Sequence, residues 1–276
     1  MLIMKQNTNN NSNTHLHLIE TRKAFNGHYT NEFRSHGVVF GFTELNFLFE
    51  ELGEMYLPYK PLMLKQVHSD IIFFTSEVAA GGEVEVEGDG LILDEPDKIA
   101  VIETADCTPM FFWYPGDKPV IGGVIHVGWR GLWQDIEKKT LLRLKEKIGE
   151  INLSDFHVFL GPAIEGDCYE VKEDVWENFK EKSYRDKILI PFQKDMKNTI
   201  DNSKNRDNHE KYWKLDVKKG VRYSLQEIGV PGENIGETSL CTFCEAGRFP
   251  SYRRAKGTGQ RIHNYLFFLT PGMQFA

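Results

Sequence analysis

The sequence predicts an α+β fold, with mixed β-sheets flanked by helices in a single compact domain. Two observations carry that expectation. Short, wholly apolar runs follow one another closely, as strands covered on both faces do. Helical spacing shows only in isolated stretches between them, which disfavours a regular doubly wound sheet.

The elements follow in chain order. Residues 1–13 are an Asn-rich, disordered tail with little to bury, and residues 14–276 form the domain. His15-Leu16-His17 reads as a solvated strand start, and Gly81-Gly82 as a turn without the lysine of a phosphate loop. Residues 99–102 and 110–114 are apolar strands separated by a Thr108-Pro109 break. Pro115-Gly116-Asp117-Lys118-Pro119 is a turn before the apolar run 120–127, which ends at Gly128. Phe111, Phe112 and Trp113 are read as core. The period then changes: Trp133, Ile136, Leu141, Leu144 and Ile148 approximate helical spacing, with Gly149 as the stop. Residues 156–160 return to strand. Val171, Val175 and Phe179 predict a helix, as do Val221, Leu225 and Ile228 before Gly229. Residues 194–211, rich in Asn, Asp and Lys, read as a surface loop, and 265–269 as the last strand.

Composition narrows the function. The 276 residues carry 40 acidic and 33 basic side chains, a formal charge of −7 that argues against a nucleic-acid partner. No run reaches the roughly 18 to 20 apolar residues of a membrane span. The N-terminus lacks a basic-then-apolar secretory pattern. Four cysteines in a chain this long do not make a disulfide scaffold. The expectation is a soluble, cytoplasmic protein, a monomer or a small homo-oligomer.

Three segments join reactive side chains to strand ends: Lys65-Gln66-Val67-His68-Ser69-Asp70, Glu103-Thr104-Ala105-Asp106-Cys107-Thr108-Pro109 and His126-Val127-Gly128-Trp129-Arg130-Gly131. One Cys and two His suit Zn²⁺ with an open fourth position, the arrangement of catalytic zinc. The same residues could instead make a Cys-His nucleophile pair with Asp106 or Asp70 as its orienting carboxylate. Cys241-Thr242-Phe243-Cys244 has metal-ligand spacing but no second pair, and reads as two reduced thiols on a strand and turn.

These segments stand in order with Glu87-Gly88-Asp89-Gly90, Leu160-Gly161-Pro162-Ala163-Ile164, Cys168-Tyr169-Glu170-Val171, Ser251-Tyr252-Arg253-Arg254 and Thr258-Gly259-Gln260-Arg261. Together they resemble the laccase-domain family, historically called multicopper polyphenol oxidases and now described as purine nucleoside phosphorylases, over roughly residues 60 to 270. The resemblance implies a fold of the laccase-domain (cytotoxic necrotising factor-like) type. It implies a metal triad of His68, Cys107 and His126, with zinc the expected metal and copper the older assignment. It implies purine nucleoside and inorganic phosphate as substrates: phosphorolysis of adenosine, inosine, guanosine and methylthioadenosine, with adenosine deamination. Arg130 suits a phosphate cradle, since a guanidinium grips phosphate bidentately, and Arg253 and Arg254 are further candidates. Asp106 either orients a ligand His or caps a turn.

The family also contains proteins described as peptidoglycan editing factors, so a hydrolase of peptidoglycan precursors is an alternative, as is a non-enzymatic scaffold. A copper oxidase is disfavoured: type 1 plus trinuclear copper needs roughly ten His, and this chain has 9. One departure stands out. The family's opening Gly-Gly-Val-Ser turn is missing from His36-Gly37-Val38-Val39-Phe40-Gly41-Phe42-Thr43-Glu44-Leu45-Asn46, a region that helps wall the family's pocket.

Overall fold

Alternation within single strands sets the layer order. In Thr108–Tyr114, Phe111 and Trp113 face one core while Met110 and Phe112 face another. In Val38–Thr43, Val38 and Phe40 join the first of these cores and Val39 a third. Successive strand side chains point to opposite faces, so strands apolar at every position must be covered twice. The computed structural model, which describes residues 18–35, 37–78, 86–115, 120–193, 211–257 and 259–269, does this with two face-to-face sheets covered by helices outside.

The first six-stranded sheet runs in the order Ile19–Phe25, His28–Ser35, Val38–Thr43, Ile262–Phe268, Lys98–Thr104, Lys60–Met63. Its pairs are antiparallel except the last. The second runs Ile235–Glu237, His157–Leu160, Thr108–Tyr114, Ile121–Val127, Gly90–Leu93, Ile72–Phe74, with both outer pairs parallel. Aromatic rings fill the space between the sheets: Phe40 lies 5.0 Å from Phe111 and 5.3 Å from Phe159, centroid to centroid. Helices Ile136–Ile148 and Val217–Glu227 cover the outer face of the second sheet through Leu141, Leu144, Val221 and Leu225. Helix Phe49–Met55 covers the first through Leu52. Phe111, Phe112 and Trp113 are fully buried, as the sequence predicts.

The structure corrects three expectations. The helix expected across Trp133 to Ile148 is two helices, Trp129–Trp133 and Ile136–Ile148, parted by Asp135 at φ 61°. Val171 does not begin a helix. It sits in strand Glu170–Lys172, opposite Trp213, and a short helix Glu173–Asn178 follows. A small third sheet, Glu170–Lys172, Tyr212–Leu215 and Leu189–Phe192, was not foreseen; cross-strand pairing there overrides the helical spacing at Val171, while Val175 stays helical. The tail at 1–13, His15-Leu16-His17, Gly81-Gly82, residues 116–119 of the expected turn and residues 194–210 of the expected loop lie outside the described residues. Among the described residues no helix is long and apolar enough to cross a membrane.

Candidate metal centre and cavity

Strand pairing brings the three ligand candidates together. His126 lies near the end of Ile121–Val127, a central strand. Thr108 pairs with Val127, which sets the preceding Cys107 beside that end. Gly90 pairs with Ile125 on the other side, so Asp89 meets His126: the His126 N–H donates to the Asp89 carbonyl at 2.7 Å. One donor atom each of His68, Cys107 and His126 lies within 4.8 Å of the others. The Cys107 sulfur is 3.6 Å from His68 Nε2. The two imidazoles meet edge to face at 4.7 Å.

The fully buried Asp89 organises both histidines. His126 Nδ1 donates to Asp89 Oδ1 at 2.7 Å, which turns Nε2 toward Cys107. The same oxygen accepts the His68 N–H at 3.0 Å, and Oδ2 accepts the Val67 and Ser69 N–H groups and the Ser69 hydroxyl. These bonds hold His68 at φ 59°, a left-handed conformation that a non-glycine residue keeps only when its surroundings fix it. Burial pushes the Asp89 carboxyl up, but hydrogen bonds from His126 and Ser69 outweigh it and hold the group below its ordinary value. Burial also pushes the Cys107 thiol up. The charge and hydrogen bonding of His126, then of His68, bring it down to about 6. Burial opposes a charge on His126, which the Cys107 thiolate and Asp89 nevertheless raise to about 9. In the metal-free site, Cys107 and His126 each favour the charged form of the other.

Gly128 leaves room for this cluster. A Cβ there would stand 3.0 Å from His68 Cδ2 and 3.2 Å from the Cys107 sulfur. One thiolate and two imidazoles, with a carboxylate behind one imidazole, fit a borderline-soft ion held by three protein ligands. The site opens on a cavity of about 1060 Å³. The Arg130 guanidinium lies over the Trp129 ring at 4.5 Å on its wall. Arg253 reaches the same wall over Tyr169 at 4.9 Å and donates to the Glu170 carbonyl at 2.7 Å.

Three sequence-predicted residues act elsewhere. Asp106 does not orient a ligand His. Its carboxylate accepts from the Thr242 hydroxyl at 2.7 Å, the Ser251 hydroxyl at 3.0 Å and the Arg253 N–H at 2.7 Å. At φ 98° it bends the chain ahead of Cys107 and ties that bend to helix Tyr252–Ala255. Arg254 is not part of the cavity wall: its guanidinium is consumed by the carbonyls of Thr242, Phe243 and Phe249. Asp70 pairs with Lys139 instead of a histidine. Among the described residues of the shortened segment 36–46, none lines the cavity.

Sequence reasoning missed Asp89 and Arg261, which also lines the cavity. Both stand in motifs quoted above, and an acidic residue between two glycines at the start of an apolar strand was the signal for Asp89. It also missed that Cys168 meets Cys241 and Cys244.

Known proteins share the family and the fold. The family described as multi-copper polyphenol oxidoreductase laccase matches residues 49–267. A purine nucleoside phosphorylase of Synechocystis sp. is 32% identical over 223 residues, 75% of this chain and 81% of its own. The purine nucleoside phosphorylase YlmD of Bacillus subtilis is 30% identical over 178 residues, 64% of this chain. The match spans 58% of that relative's length. Among solved structures, YlmD from Geobacillus stearothermophilus superposes with a TM-score of 0.66 at 25% identity, covering 85% of this chain and 93% of its own. The Bacillus licheniformis protein YfiH gives a TM-score of 0.69 at 24% identity, covering 84% and 93%. With the family match spanning most of the chain and the same fold in its relatives, the protein belongs to the multi-copper polyphenol oxidoreductase laccase family.

Proposed function

We propose that the protein is a zinc-dependent purine nucleoside phosphorylase that also deaminates adenosine. The observation that carries the reading is a single cavity lined both by the His-Cys-His ligand set and by Arg130, Arg253 and Arg261. The names of the relatives supply the substrate class.

His68, Cys107 and His126 would hold the metal. Bound zinc supplies Lewis acidity and lowers the pKa of a water to about 7. The chain's own residues do the rest. Asp89 keeps the proton of His126 on Nδ1 and so keeps Nε2 free to ligate. Arg130 and Arg253 grip phosphate and hold one oxygen on C1′ of the nucleoside. As the C1′–O bond forms, the bond from C1′ to the purine nitrogen breaks. The purine leaves with that electron pair and takes up a proton, and ribose 1-phosphate remains. Cations beside the reacting sugar also balance the dianion that approaches it. Deamination needs no phosphate: water adds at C6 and the amino group leaves as ammonia.

A copper oxidase draws less support. Among the described residues the ligand clusters contain two His, against the roughly ten of a multicopper set.

The test is a nucleoside screen with and without phosphate that follows free base, ribose 1-phosphate and ammonia separately. Adenosine with phosphate should yield adenine and ribose 1-phosphate, and adenosine alone should slowly yield inosine. Inertness toward every nucleoside, together with cleavage of a peptidoglycan precursor, would replace this reading with a hydrolase.

A further inference from the structure

A second cluster of ligand atoms stands apart from the His-Cys-His set. The sulfurs of Cys168, Cys241 and Cys244 lie within 4.8 Å of one another, with Cys168 and Cys244 3.4 Å apart. All three are free thiols. Chain segments 76 residues apart converge here. Cys168 ends the single turn Gly166–Cys168, while Cys241 and Cys244 bracket a turn that bridges to Ala163.

The turn is built to present sulfur. The Arg254 guanidinium binds the carbonyls of Thr242 and Phe243. The Thr242 N–H donates to the Ala163 carbonyl at 3.0 Å, and the Thr242 hydroxyl donates to Asp106. The Glu165 N–H donates to the buried Cys241 sulfur at 3.5 Å, and the N–H groups of Phe243 and Cys244 face the same sulfur. Backbone N–H groups aimed at a sulfur favour its thiolate, the form that ligates metal. Four tetrahedral sulfur ligands at about 2.3 Å from zinc stand about 3.8 Å apart. The 3.4 Å between Cys168 and Cys244 and the 4.8 Å limit on the other two pairs are compatible with that value. Two cysteines separated by two residues, joined by a third from elsewhere, are a common way to reach it.

We infer that Cys168, Cys241 and Cys244 form a second metal site, a three-thiolate site for a soft d¹⁰ cation, Zn²⁺ in the reduced protein, whose fourth position lies on the exposed Cys244 side. The ion joins the turn Gly166–Cys168, which leads through Tyr169 into strand Glu170–Lys172, to the turn whose Thr242 holds Asp106. It therefore braces the cavity wall that carries Arg253 without touching substrate, and it stands whether or not the cavity processes nucleosides.

The test is metal stoichiometry of the full chain purified under reducing conditions, with Co²⁺ as a spectroscopic probe. Wild type should bind two equivalents. Cys107→Ala should keep one, with most of the sulfur-to-cobalt charge-transfer absorption, because three of the four thiolates remain. Cys244→Ser, at the exposed ligand, should lose one equivalent and most of that absorption while the first site stays loaded. A Cys107→Ala chain that binds no metal would overturn the assignment. So would two titratable thiols, instead of four, in the metal-stripped, denatured wild type, since Cys168 and Cys244 would then be a disulfide.

Discussion

Asp89 and Asp106 are both buried carboxylates beside the metal candidates, and they do different things. Asp89 lies far in sequence from His68 and His126, yet it takes hydrogen bonds from the ring of one and the backbone of the other. Asp106 is the chain neighbour of Cys107, yet its side chain turns away to Thr242, Ser251 and Arg253. One carboxylate therefore builds the metal side of the cavity and the other anchors its cationic side. A residue adjacent to a ligand in sequence is not the residue that orients it, because a bend at φ 98° aims the neighbouring side chain elsewhere.

Removing each carboxylate should separate the two roles. Asp89→Ala leaves the Val67, His68 and Ser69 N–H groups and the His126 Nδ1 proton without their acceptor. Loss of a carboxylate behind a ligand His costs about 10- to 100-fold in metal affinity, and a broken buried ion pair about 3 to 5 kcal/mol of stability. Competition with a chromogenic chelator and urea unfolding read both. Asp106→Ala should cost less, about 1 to 3 kcal/mol, and should leave zinc affinity within a factor of a few. Its functional cost should fall on the KM for phosphate, because Arg253 loses its anchor. Equal losses of zinc in the two variants would erase the distinction.

A smaller effect sharpens the comparison through pH. In metal-free protein the Cys107 thiolate forms near pH 6, so alkylation by iodoacetamide should reach half its maximal rate there and rise above it. Asp89 supports the charge of His126, and His126 in turn lowers Cys107. Asp89→Asn should therefore move the alkylation midpoint upward, by about one unit, whereas Asp106→Asn should leave it in place. Mass spectrometry of the labelled peptide assigns the site and separates it from Cys168, which burial and its neighbouring thiols push up to about 12.

The parts legible in the sequence share a physical cause. The strands that hold Ile99, Phe111, Phe112 and Val124 are buried on both faces, so their composition alone marks them. His68, Cys107 and His126 could be singled out because each sits in a motif that carries the family resemblance, and the structure brings their ligand atoms together. Asp89 was passed over because a carboxylate between two glycines also fits a turn, and the histidines it serves lie far away in sequence. The third sheet escaped because Val171 continues the helical spacing of Val175 and Phe179, while its pairing with Trp213 decides its backbone. The three-cysteine cluster escaped because its members meet through loops across 76 residues. Arg254 looked like a cation for phosphate, and only the three carbonyls it binds reveal its work.

The most direct measurement is the rate of adenine release from adenosine at saturating phosphate by Cys107→Ala beside wild type, each reloaded with excess zinc. Loss of one of three metal ligands must cost more than loss of a carboxylate behind a ligand, so a fall of at least about 100-fold is expected. A Cys107→Ala protein that releases adenine at the wild-type rate would contradict a catalytic metal at His68, Cys107 and His126.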